Sequence, residues 1–202
     1  MNKQVIISVG REFGSGGHII AEELSKRFNL PLYDSNILEH IAEEKNFDHN
    51  LMRKHEEKAR VRFFTKKVRG HSSSIRDHIA NMQFKFLQKK GDAGESFVVV
   101  GRCSESMLDE NKHLISIFVI GDIPCKIKRI KEVLNISSDK EADRLRIKKD
   151  LERKSYHNYY CKHKWGDSRN YHLCVNSSKL GIEKTIDMLE AYIKDRIEAF
   201  ED

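Results

Sequence analysis

The run Val5-Ile6-Ile7-Ser8-Val9-Gly10-Arg11-Glu12-Phe13-Gly14-Ser15-Gly16-Gly17-His18-Ile19-Ile20 decides how this chain is read. Its first five residues are apolar and β-branched around one serine, the pattern of a strand buried on both faces of a parallel sheet. A turn with four glycines between Gly10 and Gly17 follows at once. From Gly17 onward Ile20, Leu24 and Phe28 recur at helical spacing, with Glu22, Glu23, Lys26 and Arg27 between them, until Asn29 and Pro31 end the pattern. A buried strand that enters a helix through glycines is where an α/β sheet binds phosphate. Backbone N–H groups converge there without a Cβ in the way, and the helix N-terminus adds partial positive charge.

The turn departs from the usual phosphate-loop pattern, Gly-x-x-x-x-Gly-Lys-Ser/Thr. Gly17 follows Gly16 where that pattern needs lysine, and no hydroxyl stands near the magnesium position. A dinucleotide fingerprint fits less well, since Ile19 occupies the place of a third glycine or alanine.

Outward from this turn, further strands are expected at Leu30–Tyr33, Ser96–Val100, Leu114–Ile120 and Tyr171–Val175. Residues 35–92, 123–134 and 138–160 read as helical, and Gly181–Phe200 as a closing amphipathic helix. Strands separated by helices imply βαβ units and a parallel sheet covered on both faces, with ligand loops at the carboxyl ends of the strands. The chain has 202 residues, the length of one α/β domain.

Composition excludes collagenous and low-complexity classes: 39% of residues are hydrophobic, 34% charged, and only 2 are proline. No apolar run is long enough for a membrane span, and the N-terminus carries no leader-like segment, so a cytoplasmic protein is expected. Cys103, Cys125, Cys161 and Cys174 form no Cys-x-x-Cys pair and read as reduced thiols, with Cys125 and Cys174 expected to be buried beside apolar runs. Cys161-x-His163 and His71 find no second pair at ligand spacing, so no metal site is expected. The formal net charge of +6 points to a polyanion. One candidate is nucleic acid, through the basic stretch Arg53–Arg69, but only Phe63 and Phe64 there could stack a base. Between residues 141 and 164, eight lysines and arginines outnumber four acids, which favours a small nucleotide instead.

The loop, together with Leu30-Pro31-Leu32-Tyr33-Asp34, resembles the cytidylate kinase-like family. Val98-Val99-Val100-Gly101-Arg102-Cys103 is similar to that family's strand-end Gly-Arg element, and Arg146-x-x-Lys149-Asp150-x-x-Arg153 to its arginine-rich lid, with lysine where arginine is usual. Tyr159-Tyr160, Trp165-Gly166-Asp167 and Tyr171–Ser178 resemble the C-terminal block of a divergent branch.

The resemblance implies a three-layer α/β/α P-loop NTPase fold with about five parallel strands. The core would comprise residues 1–34, 96–137 and 169–202, with a helical acceptor-binding insertion at 35–92 and a lid at 138–168. It implies ATP- and Mg²⁺-dependent phosphoryl transfer to a nucleoside monophosphate, with cytidylate (CMP or dCMP) the first candidate. ATP phosphates would lie on Gly14, Ser15, Gly16, Gly17, His18 and Ile19, and the acceptor near Asp34, Arg102 and Arg129.

Arg146, Lys149 and Arg153, spaced to project from one helix face, would close on the moving phosphoryl group. A solvated, ion-paired helix is the alternative for that segment, and a plain helix cap the alternative for Asp34. His18 or Arg11 would stand in for the missing lysine. Cys103 occupies a position that is aspartate in bacterial cytidylate kinases. The absence of the lysine, the hydroxyl and that aspartate sets a rival expectation, a nucleotide-binding regulator without catalysis.

Overall fold

A computed structural model describes residues 3–45 and 75–200. The basic stretch Arg53–Arg69, His71 and part of the expected helical insertion lie outside the described residues. The strands are β1 (Ile6–Arg11), β2 (Leu32–Tyr33), β3 (Phe97–Val100), β4 (Leu114–Ile120) and β5 (Leu173–Asn176). They form one sheet in the order β2-β3-β1-β4-β5, and every pairing is parallel. The glycine-rich turn therefore leaves the central strand, flanked by the ends of β3 and β4.

Burial explains why β1 is central. Ile6, Ile7 and Val9 are fully inaccessible, and each such side chain contributes about 1.5–3 kcal/mol relative to exposure. Successive residues of a strand face opposite ways. Ile7 and Val9 pack with Ile20 and Leu24 of α1 (Gly17–Arg27) and with Ile186, Leu189 and Ile193 of the last helix, Ile182–Glu198. Ile6 faces the other way, toward Ile37 and Ile41 of α2 (Ile37–Lys45) and Leu87 of α3 (Ile75–Asp92). These two clusters make the sandwich three-layered.

The remaining helices are α4 (Ser104–Met107), α5 (Ile123–Leu134), α6 (Asp139–Tyr160), α7 (Ser177–Leu180) and α8 (Ile182–Glu198). Helix α6 starts where the Ser138 side chain accepts the Glu141 N–H, and it packs along α5. Most of its outer face is exposed, consistent with its charge. No described helix is long and apolar enough to cross a membrane.

The cysteine expectation is reversed. Cys125 and Cys174 are exposed, because one sits on the outer side of α5 and the other on the edge strand β5, whereas Cys103 and Cys161 are buried.

Candidate functional site

The turn after β1 has the backbone of an anion loop. Gly14 and Gly16 have φ of +81° and +83°, a region that L side chains rarely adopt. A Cβ at Gly14 would also lie 2.9 Å from the Lys126 carbonyl oxygen. The loop is braced from below. Ser177 Oγ donates to the Ser15 carbonyl at 2.6 Å, and Arg129 Nη1 donates to the Gly14 carbonyl at 2.5 Å. Glu12 accepts from Lys126 Nζ at 2.7 Å and from the Gly121 N–H at 3.1 Å. Carbonyls are thus tied downward; the Gly17 N–H donates to Ser15 Oγ at a long 3.4 Å, and the start of α1 keeps the partial positive charge that favours an anion.

Arg11 defines the pocket beside the loop. It closes β1 and is half-buried, and its Nε is inaccessible with no partner among the described residues. Burial first, then the cations Arg153 and Arg102, push its pKa down to about 9. A Cβ on Gly17 would lie 2.5 Å from Arg11 Cβ, and one on Gly101 would collide with Arg11 Nη1. Arg11 therefore runs through the space that a side chain at Gly17 would need. In the usual pattern the position of Arg11 is glycine and that of Gly17 is lysine, so the loop has exchanged the two. The Arg11 side chain thus lies beside the position that holds lysine in that pattern.

Arg11, Arg102 and Arg153 line a cavity of about 50 Å³ with Glu105 and Trp165. Gly101, Arg102 and Cys103 all have positive φ, from +56° to +70°, which turns the chain sharply at the end of β3. Arg102 also donates to Gln83 Oε1 of α3 at 3.2 Å. Trp165 stacks edge-on against Phe118 at 5.3 Å. A Cβ at Gly10 would lie 2.7 Å from the Phe118 ring, so the strand end is glycine where this aromatic wall closes.

The residues singled out from sequence do not all converge. Arg153 reaches the loop: it donates to the Arg11 carbonyl at 3.2 Å and lies over the Phe13 ring at 5.3 Å. Arg146 is paired with Asp143 at 2.7 Å and Lys149 with Glu152 at 3.1 Å, ion pairs within their own helix. Arg129 braces the loop and does not line the cavity. Ile19 is exposed, as is half of the His18 side chain, whose Nε2 lies 3.4 Å from Glu22 and 3.7 Å from Asp34. Asp34 Oδ1 accepts the Asn36 N–H at 3.0 Å, so it both shapes the entry to α2 and faces His18. Ser15 turns its hydroxyl onto the Glu12 carbonyl.

Sequence reasoning missed two participants. Lys126 is only 3% exposed and stands one helical turn before Ile130 on the inner stripe of α5, a spacing that could have disclosed it. Asp150 was passed over as part of the lid pattern, yet its carboxylate accepts the Phe13 N–H at 2.6 Å. Burial raises the Asp150 pKa against that hydrogen bond.

On the wall of the cavity, Glu105 Oε1 meets His157 Nε2 at 2.5 Å, and the His157 and Cys161 side chains are also in contact. The Cys161 thiol contacts that of Cys103. Burial alone would lower His157, but its bonds to Cys161 and Glu105 raise it to about 10. The hydrogen bond with Cys103, followed by His157, draws Cys161 down to about 5, and Cys103 is raised. His163, half of the pair weighed from sequence, is exposed.

The family model described as "Cytidylate kinase-like family" matches residues 6–179, and the chain belongs to that family. No curated protein matches. Among solved structures, an uncharacterized protein from Eubacterium ventriosum ATCC 27560 is 37% identical at a TM-score of 0.74, with 95% of this chain and 99% of that one covered. Shikimate kinase from Bacteroides thetaiotaomicron has a TM-score of 0.52 at 13% identity, covering 94% of this chain and 98% of that one. A gluconokinase from Sinorhizobium meliloti 1021 has a TM-score of 0.51 at 14% identity, covering 98% and 96%. These last two share the fold, which is that of P-loop kinases.

Proposed function

We propose that this member of the cytidylate kinase-like family is a cytoplasmic kinase that moves the terminal phosphoryl group of ATP onto a small anionic acceptor, with cytidylate the first candidate. One observation carries the reading. Arg11 packs against Gly17, across the space a loop lysine would need, and it shares a cavity with Arg102 and Arg153. Three guanidiniums line this cavity with one carboxylate, Glu105, and their fork-shaped sets of N–H donors suit the oxygens of a phosphate.

Phosphoryl transfer asks the protein mainly for positioning and positive charge. ATP phosphates would accept the N–H groups from Gly14 to Ile19, Arg11 would take the lysine's role at the transferred group, and Arg102 would hold the acceptor's anion. Arg153 would close over both and exclude water. His18 and Asp34 would line the acceptor side of the loop.

The loop itself is a poor match for Mg²⁺. His18 stands at the hydroxyl position, and Ser15 is committed to a backbone carbonyl. ATP would therefore bring the ion as its magnesium complex, held by phosphate oxygens and water.

An ADP-release assay over CMP, dCMP, UMP, AMP and GMP tests the reading, and turnover should be highest with a cytidylate and lost in Arg11→Met. Absence of turnover with every acceptor, from folded protein, contradicts it. The Asp150–Phe13 hydrogen bond supports a second reading, a nucleotide-binding regulator. That reading requires calorimetric binding of ATP without any turnover.

A further inference from the structure

We propose that Cys103, Glu105, His157 and Cys161 form a buried site for one zinc-like divalent ion that fastens the end of α6 to the turn after β3. The ligand atoms of Glu105, His157 and Cys161 all lie within 4.8 Å of one another, and all three residues are buried. Cys103 is buried too, with its thiol against that of Cys161.

Two thiolates, an imidazole and a carboxylate are a donor set suited to tetrahedral Zn²⁺, with metal–ligand distances of about 2.0–2.3 Å. Those bond lengths require ligand atoms roughly 3.3–3.8 Å apart, so small rotations of side chains already within 4.8 Å are enough. The ligands come in two close pairs: Cys103 and Glu105 from one turn, and His157 and Cys161 one helical turn apart at the end of α6. His157 keeps Nδ1 buried without a partner among the described residues, so its ring is not fully used by the protein alone. Cys103, Glu105 and His157 also line the cavity, which gives an ion a way in.

Charge balance agrees. With both thiols and Glu105 ionised and His157 neutral, a bound dication leaves the site with a single negative charge beside Arg11, Arg102 and Arg153. Four protein ligands leave no open position, so the ion is structural and ties the turn that carries Arg102 to the helix that carries Arg153. This inference does not depend on the kinase activity, and its readouts are spectroscopic.

The test is titration of the reduced, chelator-treated full chain with Co²⁺. The expected result is one equivalent bound, with thiolate-to-cobalt charge-transfer absorption and the intense visible bands of a tetrahedral ion. Cys103→Ser should roughly halve the charge-transfer intensity, Cys161→Ser with Cys103→Ser should abolish it, and Cys174→Ser should leave it unchanged. Should the buried-cysteine variants fail to fold, X-ray absorption of the zinc-loaded wild-type chain decides: sulfur scatterers support the site, and a shell of nitrogen and oxygen alone overturns it. It is also overturned if charge transfer survives in the double variant, or if the reduced wild-type chain retains no cobalt.

Discussion

The Asp150 carboxylate of α6 accepts the backbone N–H of Phe13, at 2.6 Å, on the loop where a phosphate would bind. A carboxylate there competes with a phosphate for the same donor. Asp150→Asn should tighten ATP binding about tenfold by calorimetry, the effect of a charge-assisted hydrogen bond of about 1.5 kcal/mol. Weaker binding would show that Asp150 only organises the loop.

The same residue sets a pH dependence. Burial raises the folded-state pKa of Asp150 above its ordinary 3.8, so the folded chain takes up this proton before the unfolded chain does. Its contribution to stability is therefore present at low pH and lost as pH rises through the folded-state value. Urea unfolding across that range should show a downward slope in the wild type that Asp150→Asn lacks. Equal slopes would rule the assignment out.

The exchange of Arg11 and Gly17 predicts an epistatic pair. Gly17→Lys alone restores the familiar pattern but drives a side chain into Arg11, and should cost on the order of 1–3 kcal/mol without raising activity. Arg11→Gly with Gly17→Lys should recover most of the loss in melting temperature. Additive losses in the double variant would mean that the two positions do not share one space.

Only Arg153 of the basic face of α6 touches the loop, whereas Arg146 is spent on Asp143. Arg153→Ala should lower turnover about a hundredfold, the size expected for a lost charge contact in the transition state, and Arg146→Ala should change it only a few-fold. Steady-state kinetics of both variants checks this, and equal effects would argue for a closure in which Arg146 moves in.

Ser177 tests the floor of the site. Removing its hydroxyl in Ser177→Ala leaves the Ser15 carbonyl short of a buried donor, at a cost of about 1–3 kcal/mol. Thermal denaturation should register it, and nucleotide affinity should fall with it.

Most of the fold was legible because β1, β3 and β4 are continuous apolar runs and α1 and α8 have strong 3.6-residue periodicity. Sheet order was not, since nothing in the spacing says that β3 lies beside both β1 and β2. The loop could be located from its glycines alone. The packing of Arg11 against Gly17 could not, because it depends on where the Arg11 side chain travels after the strand ends. Likewise Cys103 and Cys161 are 58 residues apart in the chain. Their contact depends on how α6 docks, which charge patterning does not encode. Cys125 and Cys174 misled because neighbouring apolar residues do not fix which side of a helix or edge strand a side chain takes.

In the proposed reaction Arg11, Arg102 and Arg153 hold two substrates for direct phosphoryl transfer. Phosphorus NMR of the chain with Mg·ATP and CMP reads this without a coupling enzyme. The ATP and CMP signals should fall together while signals of two nucleoside diphosphates rise, and Arg11→Met should abolish the change. ATP that stays intact, or that yields only ADP and inorganic phosphate while CMP persists, would contradict it.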